Sequence, residues 1–312
     1  MIIPMDSLAL LALGLVVLLA GGHYLIPGTL AISNHLRMSP TLIATLLIAG
    51  GTSAPELIVS INAALIGKTD LIWGNIVGSN ISNILLVLGI GALFAPISVS
   101  DPMAQRDSKI MVGLTAALIG LAYFANGITI WTSLILLLCL ATYIWVAITK
   151  DKVSFDDEDG ADLALGKGII FGVGGIAGLL IGAELIVQNA VVIAMEAGIS
   201  ETIIGLTIIA IGTSLPEVTA VIASMLRGRG DVAIGNIIGS NIFNIAAVMG
   251  AAGLVSNLPT PNDLFAFGLP LLALSTALLA ALILYGKPIS RLWGFVFIGF
   301  FGVYLIANII AS

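Results

Sequence analysis

Glu56 and Glu217 lie inside long apolar runs, each directly after a proline, in AGGTSAPE (residues 49–56) and AIGTSLPE (residues 210–217). A carboxylate at mid-bilayer depth costs about 2.5–3.5 kcal/mol on insertion scales, so an acid in such a run marks an ion site or a wet path. A lone glutamate could be a protonated packing residue; two at matched places argue for a shared site. Pro55 and Pro216 have no N–H to offer the carbonyls of Gly51 and Gly212 four residues earlier. Both helices should kink or break there, and carbonyls released inside a membrane need partners, of which a dehydrated cation is one. Thr52 and Ser53 lie four and three residues before Glu56, as Thr213 and Ser214 do before Glu217. That spacing puts the hydroxyls on the helix face of the acid.

A second pair of segments accompanies the first. Residues 74–84 read GNIVGSNISNI and residues 235–245 read GNIIGSNIFNI. Ser79 and Asn83, and likewise Ser240 and Asn244, are four apart and project oxygen-bearing side chains from one face. Gly74, Gly78, Gly235 and Gly239 share that spacing and should let neighbouring backbones approach closely. Asn80 and Asn241 point elsewhere on their helices and read as structural. The donors are all oxygens, which suits Ca²⁺ with its six to eight ligands, and Na⁺ by size and hardness; Mg²⁺ fits less well because it keeps its waters. No His or Cys lies in the motifs, which argues against Zn²⁺ or Cu. His23 and His35 read as helix-end or interfacial residues. There is no HExxH, no GxSxG and no motif histidine to act as a base, so the chain does not read as an enzyme, and it calls for no cofactor.

The elements that must position these groups are membrane helices. Of the 312 residues 59% are hydrophobic and 9% charged, more apolar surface than a soluble domain can hide from water. Runs of about 20 apolar residues, the length that crosses a roughly 30 Å hydrocarbon core, predict ten helices near 7–30, 41–66, 71–95, 110–125, 128–148, 167–193, 202–226, 232–256, 264–285 and 291–310. The first run has no basic flank and no small-residue cleavage pattern, so it reads as a span rather than a signal peptide. With both termini outside, Arg37, Arg106, Lys109, Lys150, Lys152, Lys167, Arg227, Arg229, Lys287 and Arg291 fall on the cytoplasmic side and only Lys68 outside, a strong positive-inside bias. Cys139, the only cysteine, reads as packing within an apolar run.

The motif pairs recur at one offset, 161 residues, with no gap between them. Helices 1–5 therefore match helices 6–10, and an odd number of spans makes the second copy enter from the opposite side. The expectation is an all-α integral membrane protein of ten transmembrane helices in two inverted-topology five-helix repeats. Residues 1–149 form the first repeat, 150–165 an acidic cytoplasmic linker and 166–312 the second repeat. Such repeats bind their substrates at the midplane between them.

At these residues the chain resembles the cation/calcium exchanger superfamily, and most closely its sodium/calcium exchangers, whose paired alpha-repeats look like GTSAPE, GTSLPE and the two GSNIxN segments. The resemblance implies an antiporter with alternating access, carrying Ca²⁺ out of the cytoplasm as Na⁺ enters across the cell membrane. By that resemblance Glu56 and Glu217 would be the acidic ligands. Thr52, Ser53, Ser79, Thr213, Ser214 and Ser240 would give hydroxyls, Ala49 and Ala210 carbonyls, and Asn83 and Asn244 the other central positions. H⁺/Ca²⁺ antiport is the alternative. The expected partners are Ca²⁺ and Na⁺ as substrates and the lipid bilayer, with no nucleic acid and no obligate protein partner. Two departures stand out: a potassium-co-transporting branch has Asp at the place of Asn244, and Thr207 has Leu46, without a hydroxyl, as its counterpart.

Overall fold

The computed structural model describes residues 5–150, 163–198 and 210–311. The acidic linker and Thr207 lie outside that range, apart from the linker's ends. The described chain is almost wholly helical, and it is a multi-pass membrane protein. Six of its helices are long and apolar enough to cross a bilayer. They are α1 (Met5–Leu36), α4 (Thr69–Phe94), α5 (Pro102–Phe124), α6 (Ile130–Lys150), α7 (Leu165–Glu196) and α10 (Gly230–Val255). A seventh span is broken: α2 (Pro40–Thr52) and α3 (Ala54–Leu65) meet at 43°. Its counterpart is described as α8 (Ala210–Gly212) and α9 (Leu215–Leu226). The shorter α11 (Gly268–Leu284) and α12 (Arg291–Ala311) complete the set.

Several boundaries differ from the sequence reading for physical reasons. Helix α1 continues through Pro27 and runs six residues past the expected end, over the polar Asn34 and His35. It stops at Arg37, which takes the left-handed conformation (φ 53°) that ends helices. At about 48 Å it overshoots the hydrocarbon core, which hydropathy alone does not register. Helix α5 starts at Pro102, capped by Asp101, whose side chain accepts from the Met103 N–H at 2.9 Å. Its first turns look like a loop because of Arg106 and Asp107. Yet Asp107 is fully buried and receives Arg106 Nε at 2.8 Å and the Tyr143 hydroxyl at 2.9 Å. Cys139 is exposed, so it faces outward on α6 rather than packing inside.

The 161-residue repeat is written into the backbone. Helix α3 and the first part of α4 (Thr69–Ser82) map onto α9 and the first part of α10 (Gly230–Phe243), residue for residue. Ser53 (φ −78°, ψ 3°) and Ser214 (φ −88°, ψ 0°) adopt the same break, and Gly67 (φ 72°) and Gly228 (φ 69°) the same turn. Ile97 pairs with Ile289, and Ile128 with Leu258 in the two-stranded β1 (Gly127–Ile128) and β2 (Leu258–Pro259). Shifting either pair by 161 gives the other. Each joins two loops that the charge pattern puts on one side of the bilayer.

Helices α1 and α7 cross through glycines at seven-residue spacing, Gly14, Gly21 and Gly28 against Gly168, Gly175 and Gly182. A methyl group on Gly21 would lie 2.7 Å from the Leu179 nitrogen, and one on Gly175 2.7 Å from the Leu25 Cα, so the two backbones touch. In the second GSNIxN segment Gly239 does the same against Thr45 and Ala49, with contacts of 2.7–2.8 Å. Gly74 and Gly78 meet nothing so close among the described residues. The segment that the repeat would place on them, near residues 202–210, is largely outside that range.

Candidate functional site

The break after Thr52 sets the site. Pro55 leaves the Gly51 carbonyl without its usual amide, and the chain turns by 43° into α3, whose first turn carries Glu56. Glu217 sits likewise in the first turn of α9, behind Pro216. A helix N-terminus presents unpaired N–H groups and a partial positive charge, which favours a carboxylate there. Both acids are only 2% exposed.

Three links tie the halves into one cluster. Thr52 and Glu56 both lie within interaction range of the Glu217 carboxylate. Ser82 and Ser214 share a hydrogen bond of 2.9 Å, joining α4 to the α9 break. Asn244 Nδ2 donates to Ser79 Oγ at 3.0 Å and to Asn80 Oδ1 at 3.2 Å, joining α10 to α4. Thr52 Oγ1 is also 3.4 Å from the Ala49 carbonyl, which takes the Ser53 N–H at 3.0 Å, while the Ser214 N–H goes to Ile211 O at 3.1 Å. Ser53, Ser79, Asn83 and Ser240 are buried at this centre, and Thr213 is half-buried.

Sequence spacing missed three things. Asn80 and Ser82 belong to the cluster, because the helix carries more than one face into a fully enclosed centre. Asn83 and Asn244 each open a π turn, Asn83–Val87 and Asn244–Met249, and another π turn, Ala44–Ile48, precedes Ala49. A π turn adds a residue to the helical repeat and re-aims the side chains around it. Nothing in hydropathy or residue type announces it.

The centre is short of donors. Ser53 Oγ, Glu56 Oε2, Glu217 Oε2, Ser240 Oγ and Asn244 Oδ1 are buried and have no hydrogen-bond partner among the described residues. Such orphans cost roughly 1–3 kcal/mol each and more when charged. Five oxygens with spare lone pairs, two of them carboxylate, are the donor set a hard cation takes. Among the described residues no cluster of three or more His, Cys, Asp or Glu exists, so negative charge at the centre comes from two acids and the remaining donors are neutral.

The halves differ one turn away. Asn75 Nδ2 donates to the Glu56 carbonyl at 3.1 Å and to Ser60 Oγ at 3.0 Å, pinning α4 to α3 beside the acid. The matching Asn236 is 1% exposed and neither end is bonded among the described residues, where Val221 stands in the place of Ser60. Asn75→Leu is therefore expected to destabilise the protein by about 1–3 kcal/mol, and Asn236→Leu to be neutral or stabilising. Thermal unfolding in detergent reads this, and equal losses in the two variants would refute the asymmetry.

A family model described as sodium/calcium exchanger protein matches residues 6–149 and 167–310. Sodium/calcium exchanger MaX1 of Methanosarcina acetivorans is 29% identical over 340 residues, spanning 95% of this chain and 97% of that protein. Inner membrane protein YrbG of Escherichia coli is 34% identical over 276 residues, spanning 82% of this chain and 81% of its own length. A solved structure of the sodium-calcium exchanger NCX_Mj, soaked with Na⁺ and Sr²⁺, superimposes with a TM-score of 0.85 at 29% identity over 98% of each chain.

Proposed function

The chain belongs to the sodium/calcium exchanger protein family, and we propose that it is a Na⁺/Ca²⁺ antiporter working by alternating access. Ten spans form two inverted five-helix repeats, residues 1–149 and 166–312, joined by a cytoplasmic linker. The protein lies in the cell membrane with both termini outside. The observation that carries this reading is the pair of proline-broken helices that bring Glu56 and Glu217 into one buried cluster of unpartnered oxygens. MaX1 and NCX_Mj are named as exchangers of these two ions, which supports the choice of coupling ion.

In this reading Glu56 and Glu217 balance the charge of one Ca²⁺. Asn83 and Asn244 and the hydroxyls of Thr52, Ser53, Ser79, Thr213, Ser214 and Ser240 supply neutral oxygens, and the carbonyls of Ala49 and Ala210 complete the Na⁺ positions. Coupling follows from electrostatics. An empty centre with two buried carboxylates is costly to carry between the two access states, and a loaded one is not. Because both ions need the same acids, Na⁺ on the side where Ca²⁺ binds should lower the apparent Ca²⁺ affinity. The test is ⁴⁵Ca²⁺ uptake into proteoliposomes under imposed Na⁺, K⁺ or H⁺ gradients, with Na⁺ titrated on the Ca²⁺ side. Uptake driven by Na⁺ and inhibited by same-side Na⁺ is expected. Uptake driven by the pH gradient alone, or indifferent to same-side Na⁺, would overturn the assignment.

A further inference from the structure

At the Arg227 end of α9, a cavity of about 420 Å³ opens between α1 and α9. Its walls are Leu19, Gly22, Ile222, Ala223 and Leu226, with Thr219 on one side. Its mouth is His23 and Arg227. The Arg227 guanidinium donates to the His23 carbonyl at 2.8 Å and lies 3.3 Å from His23 Nδ1. Both residues are exposed, and so are Leu19 and Leu226 at the groove's rim.

We propose that this groove binds an anionic phospholipid, with one acyl chain between α1 and α9 and the phosphate on Arg227. Three observations carry it. First, Arg227 has no carboxylate partner among the described residues: its bonds are to a carbonyl and an imidazole. Its neighbour Arg229 is neutralised by Asp231 at 2.6 Å, and Arg106 by Asp107 at 2.7 Å. Second, the groove is apolar along its length and basic only at its end, the polarity of a phospholipid lying along a helix. A soluble anion has no use for the apolar wall, and a neutral lipid has none for the guanidinium. Third, the charge pattern puts Arg227 on the cytoplasmic side, where the end of a spanning helix meets the headgroups. The equivalent positions on the other side, 161 residues away, are Glu184 for His23 and Ile66 for Arg227. The basic mouth is thus a feature of one side only. A lipid so placed bridges α1, which is packed by glycines on α7, to α9, which carries Glu217.

The test uses the purified full-length protein. Native mass spectrometry with added phosphatidylglycerol or phosphatidylcholine counts retained lipid, and thermal unfolding in the same mixtures reads stabilisation. Phosphatidylglycerol should be retained over phosphatidylcholine, and Arg227→Gln should weaken it about fivefold. Arg227→Lys should keep most of the preference, and Arg291→Gln, which alters an exposed arginine bonded to the Phe94 carbonyl, should leave it unchanged. Ala223→Phe, which fills the groove without touching the charge, should lose the lipid too. Should Arg227→Gln misfold, Ala223→Phe alone decides. Equal retention of the two lipids by the wild type would overturn the site, as would Arg227→Gln or Ala223→Phe binding phosphatidylglycerol like the wild type. Displacement by glycerol phosphate at the same concentration as the lipid would overturn the lipid in favour of a free phosphate.

Discussion

Replacing either central carboxylate by its amide, Glu56→Gln or Glu217→Gln, is expected to abolish Ca²⁺ transport and leave insertion intact. The shape of the side chain is kept and one negative charge is lost. Each acid is 2% exposed, so water cannot make up the difference. A divalent ion held by one carboxylate carries an uncompensated charge, and breaking a buried ion pair from one side costs about 3–5 kcal/mol, or a hundredfold or more in affinity. The apo protein feels the opposite. It now holds one buried carboxylate rather than two within Coulombic reach, so its unfolding temperature without ions should stay level or rise. The paired readings of ⁴⁵Ca²⁺ uptake and thermal unfolding separate a lost site from a lost fold. Either variant exchanging Ca²⁺ at the wild-type rate would remove the two glutamates from the mechanism.

How much of this could be read from the chain depends on which physical signal each feature leaves. Hydropathy marks length and polarity, so the long spans α1, α4, α7 and α10 stand out, while the polar first turns of α5 hide a helix whose Asp107 is satisfied by Arg106 and Tyr143. Proline leaves an unmistakable chemical consequence, a missing donor, and the breaks at Ser53 and Ser214 follow from it. The duplication makes the motifs legible twice over, and the backbone repeats it down to the Ile97–Ile289 and Ile128–Leu258 pairings. Helical spacing, however, assumes 3.6 residues per turn. The π turns at Asn83 and Asn244 violate that assumption beside the site. Spacing also assumes that one face of a helix serves the site, so it treats Asn80 as a bystander, whereas α4 carries a second face into the centre and Asn80 accepts a hydrogen bond from Asn244. The repeat also suggests more symmetry than exists. Val221 in place of Ser60 strands Asn236, and Phe243 in place of Ser82 leaves Ser53 Oγ without the partner that Ser214 has. Such differences are single side chains, visible only once their neighbours are known.

The fixed charge of the centre is expected to make exchange independent of potassium. Asn244 is an amide, so only Glu56 and Glu217 contribute negative charge, enough for one Ca²⁺ or two Na⁺. Adding K⁺ to Ca²⁺ would leave net positive charge in a low-dielectric site, where unpaired charge is expensive. Na⁺-driven Ca²⁺ uptake should therefore persist when choline replaces K⁺ on both sides, and an absolute need for K⁺ would show that the charge argument fails. Asn244→Asp tests the same point from the other direction. The aspartate cannot donate to Ser79 and Asn80 as Asn244 Nδ2 does. Asn80, however, has a buried Nδ2 with no partner among the described residues. Turning its amide over would present that N–H₂ to the new carboxylate, so the variant should still fold. With a third carboxylate at the centre, Ca²⁺ alone no longer neutralises the site, and a monovalent ion must accompany it. Uptake by Asn244→Asp should fall in choline and recover when K⁺ is restored. A variant that folds, transports, and responds to K⁺ no more than the wild type would mean that neutral oxygens, and not the count of carboxylates, set which ions travel together.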